Sequence, residues 1–410
     1  MADRANAASF VYLDTVPAVE QFTRGIANVK ELALDTEGAS FHRFVDRIYL
    51  MQLSTREQHA VIDPIPIGTP SGLGRLLEDP AVEVVFHDAD YDLRLLEQDY
   101  GWKIKHIFDT RIAAQLLGYT AFGLAALLER FFGVKLDKKH QRADWSMRPL
   151  TADMLDYAAQ DTRYLLELKD KMSAELTRMG RMGWAREEFA LLEGTRWADE
   201  DPALSFLKLK GARDLSRREL AVLRELAPWR EGVARQMDRA TFRVLGNEQL
   251  FDIARTQPQT REALSKIKGM PRGILEQRGG ELLDAVRRAL AVAESELPKF
   301  PKATRWDRDP EFDARVSALK TARDEAAKRL ALDPGVLCSR DRMEAVARRN
   351  PATVEELLEV TELRRWQASE LGEAFVKALD PHRKGGADKK PPRMPKAKRA
   401  AADDGSPYKE

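Results

Sequence analysis

The chain has 410 residues, 43% hydrophobic and 32% charged, with 67 Lys and Arg against 66 Asp and Glu and a formal net charge of +1. That length exceeds one ordinary core and calls for two or three domains, while the near-neutral balance excludes reading nucleic-acid affinity from global charge. A single cysteine, Cys338, excludes an internal disulfide, and no apolar run reaches the length of a membrane span.

The first ten residues lack the apolar core of a signal peptide, so the cytoplasm is the expected location. Residues 1–200 read as α/β. Candidate strands lie at 31–34, 48–53, 60–62 and 82–86, the last a short apolar run suited to a buried strand. Helical patterns follow at 92–100, 110–117 and 124–132. A long amphipathic stretch over 152–179 carries Leu155, Ala158, Leu165 and Leu168 among its apolar positions. Strands mixed with increasingly late helices predict a sheet covered by helices.

After about residue 200 the strand signal stops. Residues 213–293 are helix-rich, 294–311 hold three prolines among charges and read as a linker, and 312–380 form a second helical block. From 381 to 410 the chain has nine Lys plus Arg against four Asp plus Glu and few apolar residues. That composition predicts a disordered basic tail able to add non-specific phosphate affinity.

The two helical blocks repeat each other. Ala254-Arg255, Pro258, Thr260, Glu262 and Leu264 fall without a gap on Ala347-Arg348, Pro351, Thr353, Glu355 and Leu357, and Ile267 then falls on Val360. This is an internal duplication of a small helical domain. Gly269 corresponds to Glu362. Glycine there admits a phosphate close to the backbone and glutamate repels it, so the two copies need not both bind nucleic acid.

The chemistry concentrates in acids. Asp35 and Glu37 end an apolar run two residues apart, so on a strand they share a side and repel, which raises a pKa or demands a hard divalent cation such as Mg²⁺. A plain turn before Gly38 is the alternative for that stretch alone. Asp88, Asp90 and Asp92 follow the strand at 82–86, and Asp92 can project from the first turn of a helix. Asp88 and Asp90 read as turn or capping residues, and His87 as a packed or capping histidine. No second His or Cys stands at zinc spacing. Tyr157 and Asp161, four apart, share a helix face, and Asp109 before Thr110 reads as a helix cap.

Together these motifs resemble the DEDD family of 3′→5′ exonucleases, in the subgroup with tyrosine in the third motif. Asp35-Thr36-Glu37 matches the first motif, His87 to Leu93 with acid Asp92 the second, and Tyr157-x-x-x-Asp161 the third. The flanks Phe41-His42-Arg43, Leu50-Met51-Gln52-Leu53-Ser54, Phe108-Asp109-Thr110, Asp144-Trp145 and Arg148-Pro149-Leu150-Thr151 look like those of ribonuclease D and its exosome-associated relatives. The resemblance spans about residues 10 to 380.

It implies a ribonuclease H-like α/β domain over 1–200, its mixed sheet flanked by helices, followed by two small all-α HRDC domains. The implied activity is 3′→5′ exoribonuclease, releasing 5′-nucleoside monophosphates by hydrolysis with two divalent ions, Mg²⁺ or Mn²⁺. Asp35, Glu37, Asp92 and Asp161 would hold the ions and Tyr157 would orient the attacking water. Thr36, Gly38 and His87 are expected substrate contacts. The expected partner is RNA with a free 3′ end, in particular precursor tRNA, met by a monomer that binds no membrane. A DNA exonuclease and an inactive nucleic-acid-binding adaptor are the alternative readings.

Overall fold

The computed structural model describes residues 10–137, 139–198, 201–300 and 309–383. Most of the basic tail and much of the proline-bearing linker read from the sequence lie outside these residues. The chain divides into two compact units, one of 1–308 with 329–336 and one of 309–328 with 337–410. Among the described residues no helix is long and apolar enough to cross a membrane.

The first unit is built on a six-stranded mixed sheet. Its strands are β1 (Val11–Leu13), β2 (Glu31–Glu37), β3 (Leu50–Ser54), β4 (His59–Ile62), β5 (Glu83–Phe86) and β6 (Ile107–Asp109). Their order is β1-β4-β3-β2-β5-β6. β2–β3 and β3–β4 are antiparallel, and β1–β4, β2–β5 and β5–β6 are parallel. β1 and β6, three residues each, are too short to show a period in sequence.

β2 lies inside the sheet with both faces covered, which is why Leu32, Ala33 and Leu34 are all fully buried instead of alternating with polar residues. One face packs Leu32, Leu34, Met51, Leu53, Val84 and Phe86 against Phe22, Leu73, Leu77, Leu93 and Leu96. The other packs Leu50 and Val61 against Trp145 and Ala158. Alternation along β2 therefore sends Leu32, Leu34 and Thr36 to the first face and Ala33, Asp35 and Glu37 to the second.

The helix expected over 152–179 is two helices, Ala152–Arg163 and Leu165–Arg178. The break is at Tyr164, at φ −103° and ψ 0°, whose ring tucks against Phe132 at 5.6 Å. The first helix buries Ala158 and Thr162 against the sheet, and the second buries Leu165, Leu168, Met172 and Leu176. No Pro or Gly marks the change, so the apolar stripe alone read as continuous. Thr162 Oγ1 meets Ser54 Oγ at 2.7 Å and pins the first helix to β3.

The helical part of the first unit begins at a capping box, in which Ser216 and Glu219 each satisfy the other's backbone N–H. Helix Arg217–Met237 packs on helix Arg272–Leu290 around Leu223, Leu226, Ile253, Leu264 and Leu282. Buried Arg230 donates to the Leu245 carbonyl at 3.1 Å. In the second unit Arg323 donates to the Cys338 carbonyl at 3.1 Å, and these are the positions that correspond to Arg230 and Leu245 in the repeat. Gln257 and Asn350 both end their helices left-handed, at φ 48° and 49°, and Thr260 and Thr353 both cap the next. The duplication extends to backbone conformation and to a matching arginine-to-carbonyl contact. Gly269, at φ 74°, has a local reason to be glycine, since a Cβ there would lie 2.7 Å from Gln249 Nε2.

Candidate active site

The site forms where two strands part. β2 pairs with β5 only as far as Ala33–Val85, whereas it pairs with β3 up to Glu37–Leu50. Beyond Ala33 the β5 side of β2 is open. Helix Asp90–Tyr100 starts there and carries Asp92 to that edge. The backbone N–H of Thr36, left free by the parting, donates to Asp92 Oδ1 at 2.9 Å, and Thr36 Oγ1 donates to the same oxygen at 2.6 Å.

On the opposite face, Asp35 and Glu37 meet Asp161 of helix Ala152–Arg163. The three offer carboxylate oxygens that all lie within 4.8 Å of one another. Burial, and then the charges of Asp92, Asp161 and Glu37, hold the Asp35 carboxyl well above its ordinary range. Burial, with Asp161 and Asp92, does the same to Glu37. Burial raises Asp161 to about 7. Burial also raises Asp92 to about 7, against the opposing pull of the two Thr36 hydrogen bonds. A half-buried cluster of like charges is relieved by protons or by a cation. Three convergent carboxylates with no nitrogen or sulfur suit a hard divalent ion such as Mg²⁺ or Mn²⁺. Asp92 stands outside the group of three, held by Thr36 within electrostatic reach.

Tyr157, one turn before Asp161, lies between Trp145 and His140, with ring centroids at 6.1 and 5.7 Å. Burial raises its pKa, and Asp161, Glu37 and Asp35 add to the rise. The phenol keeps its proton at neutral pH, which suits it to orient a water and not to abstract a proton.

The three expected substrate contacts, Thr36, Gly38 and His87, each have neighbours within the protein. Thr36 spends both donors on Asp92. The space above Gly38 is filled, because a Cβ there would lie 2.8 Å from both Asp46 Oδ1 and the Tyr91 hydroxyl. Those two groups hydrogen-bond to each other, and Asp46 also accepts from Ala39 N at 3.1 Å. His87 Nδ1 meets Thr110 Oγ1 at 2.9 Å, and burial lowers its pKa to about 4, so it is a neutral packed histidine. Asp109 is the expected cap, accepting from Arg111 N and Ile112 N on one oxygen and from Ala89 N on the other.

Gln52 had no assigned role in the sequence. It sits directly across the ladder from Asp35, is fully buried, and neither amide atom has a hydrogen-bond partner among the described residues. The signal for it is strand register, which a single sequence does not display.

The loop after β2 packs Ala39 and Tyr49 into the cluster that holds Tyr157. It leaves at Glu37 and returns at Tyr49, whose N–H donates to the Glu37 carbonyl at 2.9 Å. His42 N and Arg43 N both donate to the Ala39 carbonyl. Arg43 Nε donates to Ser146 Oγ at 2.6 Å, and Arg43 Nη1 donates to Asp238 at 3.1 Å. Ala240 N donates to the His42 carbonyl at 3.4 Å, and Arg243 Nε to the Phe41 carbonyl. Phe44 packs into the helical core. The turn at 238–243 is thus locked to the loop that begins at the acids.

Residues 10–177 match the family model of the 3′–5′ exonuclease domain, and residues 219–286 and 312–379 match that of the HRDC domain. Ribonuclease D of Nitrobacter hamburgensis is 31% identical over 354 residues, covering 86% of this chain and 90% of the relative. Human exosome complex component 10 is 32% identical over 257 residues, 60% of this chain and 29% of the relative. Among solved structures, Escherichia coli RNase D, an exoribonuclease involved in structured RNA processing, superposes with a TM-score of 0.71 at 26% identity, covering 92% of this chain and all of that one. The catalytic core of RRP6 from Trypanosoma brucei superposes with a TM-score of 0.62 at 31% identity, over 69% of this chain and 80% of that one.

Proposed function

The chain belongs to the ribonuclease D family of 3′→5′ exoribonucleases, and we propose that it trims the 3′ trailer of precursor tRNA and other structured RNAs, releasing 5′-nucleoside monophosphates. The observation that carries this reading is the convergence of Asp35, Glu37 and Asp161 at the open end of β2. Asp35, Glu37 and Asp161 would hold one Mg²⁺ or Mn²⁺, and Asp92, with Asp35, a second. Bound there, such ions lower the pKa of water and offset charge on the leaving 3′ oxygen. Asp35 and Glu37 project from a strand inside the sheet, so their positions are set by the ladder and not by a mobile loop. Thr36 orients Asp92, and Tyr157 orients the water. Residues 1–200 serve as the nuclease domain, and 213–293 and 312–380, joined by 294–311, as the two HRDC domains that hold the body of the RNA. The protein acts as a monomer on cytoplasmic RNA.

The test is digestion of 3′-extended tRNA, single-stranded RNA and single-stranded DNA in Mg²⁺ or Mn²⁺, by the parent and by Asp35→Asn. Stepwise loss from the RNA 3′ ends to 5′-monophosphates, absent in the variant, is expected. Preferential loss of DNA would reassign the substrate, and a fully active Asp35→Asn would overturn the site.

A further inference from the structure

Two half-exposed aromatic rings from distant parts of the chain meet at the loop that leaves β2 at Glu37. Phe41, on the loop rooted at Glu37, is 49% exposed, and Phe242, from the helical part, is 50% exposed. Their centroids are 6.1 Å apart at an interplanar angle of 77°. Each backbone is held. Arg243, next to Phe242, binds the Phe41 carbonyl, and Ala240 N binds the His42 carbonyl. The Arg142 guanidinium lies 5.6 Å over the Phe41 ring. Arg47 lies 5.6 Å over Tyr49 where the loop returns. Neither arginine has an acidic partner among the described residues, whereas the nearby acids are engaged. Asp238 binds Arg43, Asp144 binds Ser146 and pairs with His42, and Asp46 binds Tyr91.

We propose that the Phe41 ring, braced by Phe242 set nearly at right angles to it, is a stacking platform for one unstacked base of the RNA, a few nucleotides upstream of the 3′ end that enters the acids, with Arg142 facing the adjoining phosphate. This rests on the exoribonuclease reading and deepens it. Exposed aromatic faces beside unpaired cations are what single-stranded nucleic acid binds, and such stacking is sequence-tolerant because every base has a π face. The position fits. Phe41 is four residues from Glu37, so at ~3.8 Å per step its Cα lies within about 15 Å of that acid. The platform needs both parts of the first unit, so it gives the helical part a task at the active site.

The test compares hydrolysis of a dinucleotide, too short to reach the platform, with that of a single-stranded octanucleotide. Phe41→Leu and Phe242→Leu keep apolar bulk but remove the ring. Each should lower the octamer-to-dinucleotide ratio of kcat/KM by about tenfold. A separate arm uses octamers with 2-aminopurine placed at successive positions, bound without cleavage to Asp35→Asn protein. One internal position should be quenched, and Phe41→Leu should restore its emission. Arg142→Gln, an exposed change that cannot unsettle the fold, should make the slope of log affinity against log salt shallower by about 0.7. Equal loss on dinucleotide and octamer, or no position whose emission depends on Phe41, would overturn the proposal. If the parent hydrolyses neither RNA, the exonuclease reading fails, and the fluorescence arm still decides the platform.

Discussion

Thr36 directs both of its donors at one oxygen of Asp92, the backbone N–H at 2.9 Å and the hydroxyl at 2.6 Å. The pair joins the two faces of the sheet, since Thr36 points toward helix Asp90–Tyr100 while Asp35 and Glu37 on either side point away. Thr36→Val keeps the branched shape and the backbone bond but removes the hydroxyl. Partners that orient a metal ligand contribute about 10- to 100-fold, so activity in limiting Mn²⁺ should fall by that order. Stability in chelator should fall by only about 1–2 kcal/mol, the cost of one buried hydrogen bond. Single-turnover rates across a Mn²⁺ titration, with urea unfolding alongside, measure both, and an unchanged Mn²⁺ profile would leave Thr36 a packing residue.

Gln52 presents the opposite case, a buried amide with no partner across from Asp35. Such a group left unmet by protein costs about 1–3 kcal/mol, and this one stands across the ladder from a carboxylate of the acid site. Gln52→Met conserves volume and removes both polar atoms. It should stabilise the metal-free protein by about 1 kcal/mol and weaken Mn²⁺ binding by about tenfold. Electron paramagnetic resonance of free Mn²⁺ reads the affinity without turnover. A more stable variant with parental Mn²⁺ affinity would make Gln52 core filler.

These two residues show where sequence reading stops. Asp35 and Glu37 were legible because a strand has period two, and Tyr157 with Asp161 because a helix places i and i+4 together. The pairing of Asp92 with Thr36 depends on where β5 leaves β2, and Gln52 on the β3 register, and neither is written in local pattern. Gly38 was legible as a special position but for another reason, because what fills its space is Asp46 and Tyr91, eight and 53 residues away. The contact of Phe41 with Phe242 joins residues about 200 apart and leaves no local signal. The repeat was legible from Ile253 to Ile267 and from Val346 to Val360, whereas the matching contacts of Arg230 and Arg323 lie outside that stretch and show only in the fold.

The raised acids make the effect of metal depend on pH. A carboxyl whose folded pKa lies above its unfolded value contributes stability fully below the unfolded value, about 3.9 for Asp, and loses it as pH rises through the folded one. For Asp92 and Asp161 that folded value is about 7. In chelator the site therefore becomes steadily more destabilising between about pH 4 and 8. Mg²⁺ or Mn²⁺ binds the deprotonated acids, so the rise in Tm on adding it should be larger at about pH 8 than at about pH 6. Asp161→Asn should melt higher than the parent in chelator at the upper pH and lose most of the metal-induced shift. A metal shift independent of pH would contradict the raised values.

Asp63 has the opposite sign and supports the segment that carries Trp145. Arg148 grips it through Nε at 2.6 Å and Nη2 at 2.8 Å, Tyr12 donates at 2.8 Å and Ile65 N at 3.0 Å. Burial pushes its pKa up, but these bonds and the arginine charge outweigh burial and hold it below the ordinary carboxylate range. Arg148 also donates to the carbonyls of Tyr49 and Trp145, so the ion pair ties the wall beneath Tyr157 to β4. Asp63→Asn leaves a guanidinium short of its counter-charge and should cost about 3 kcal/mol at neutral pH. A lowered folded pKa contributes stability above the unfolded value of about 3.9 and loses it as pH falls through the folded one. The stability gap between parent and variant should therefore be constant from about pH 5 to 8 and shrink below about pH 4. Loosening Trp145 frees the Tyr157 ring, so kcat should fall more than Mn²⁺ affinity, because Asp35 and Glu37 are set by the β2 ladder and not by this wall. Urea unfolding across pH tests the first half of the argument. A variant that lost Mn²⁺ affinity along with kcat would show that the wall and the acids fold as one element.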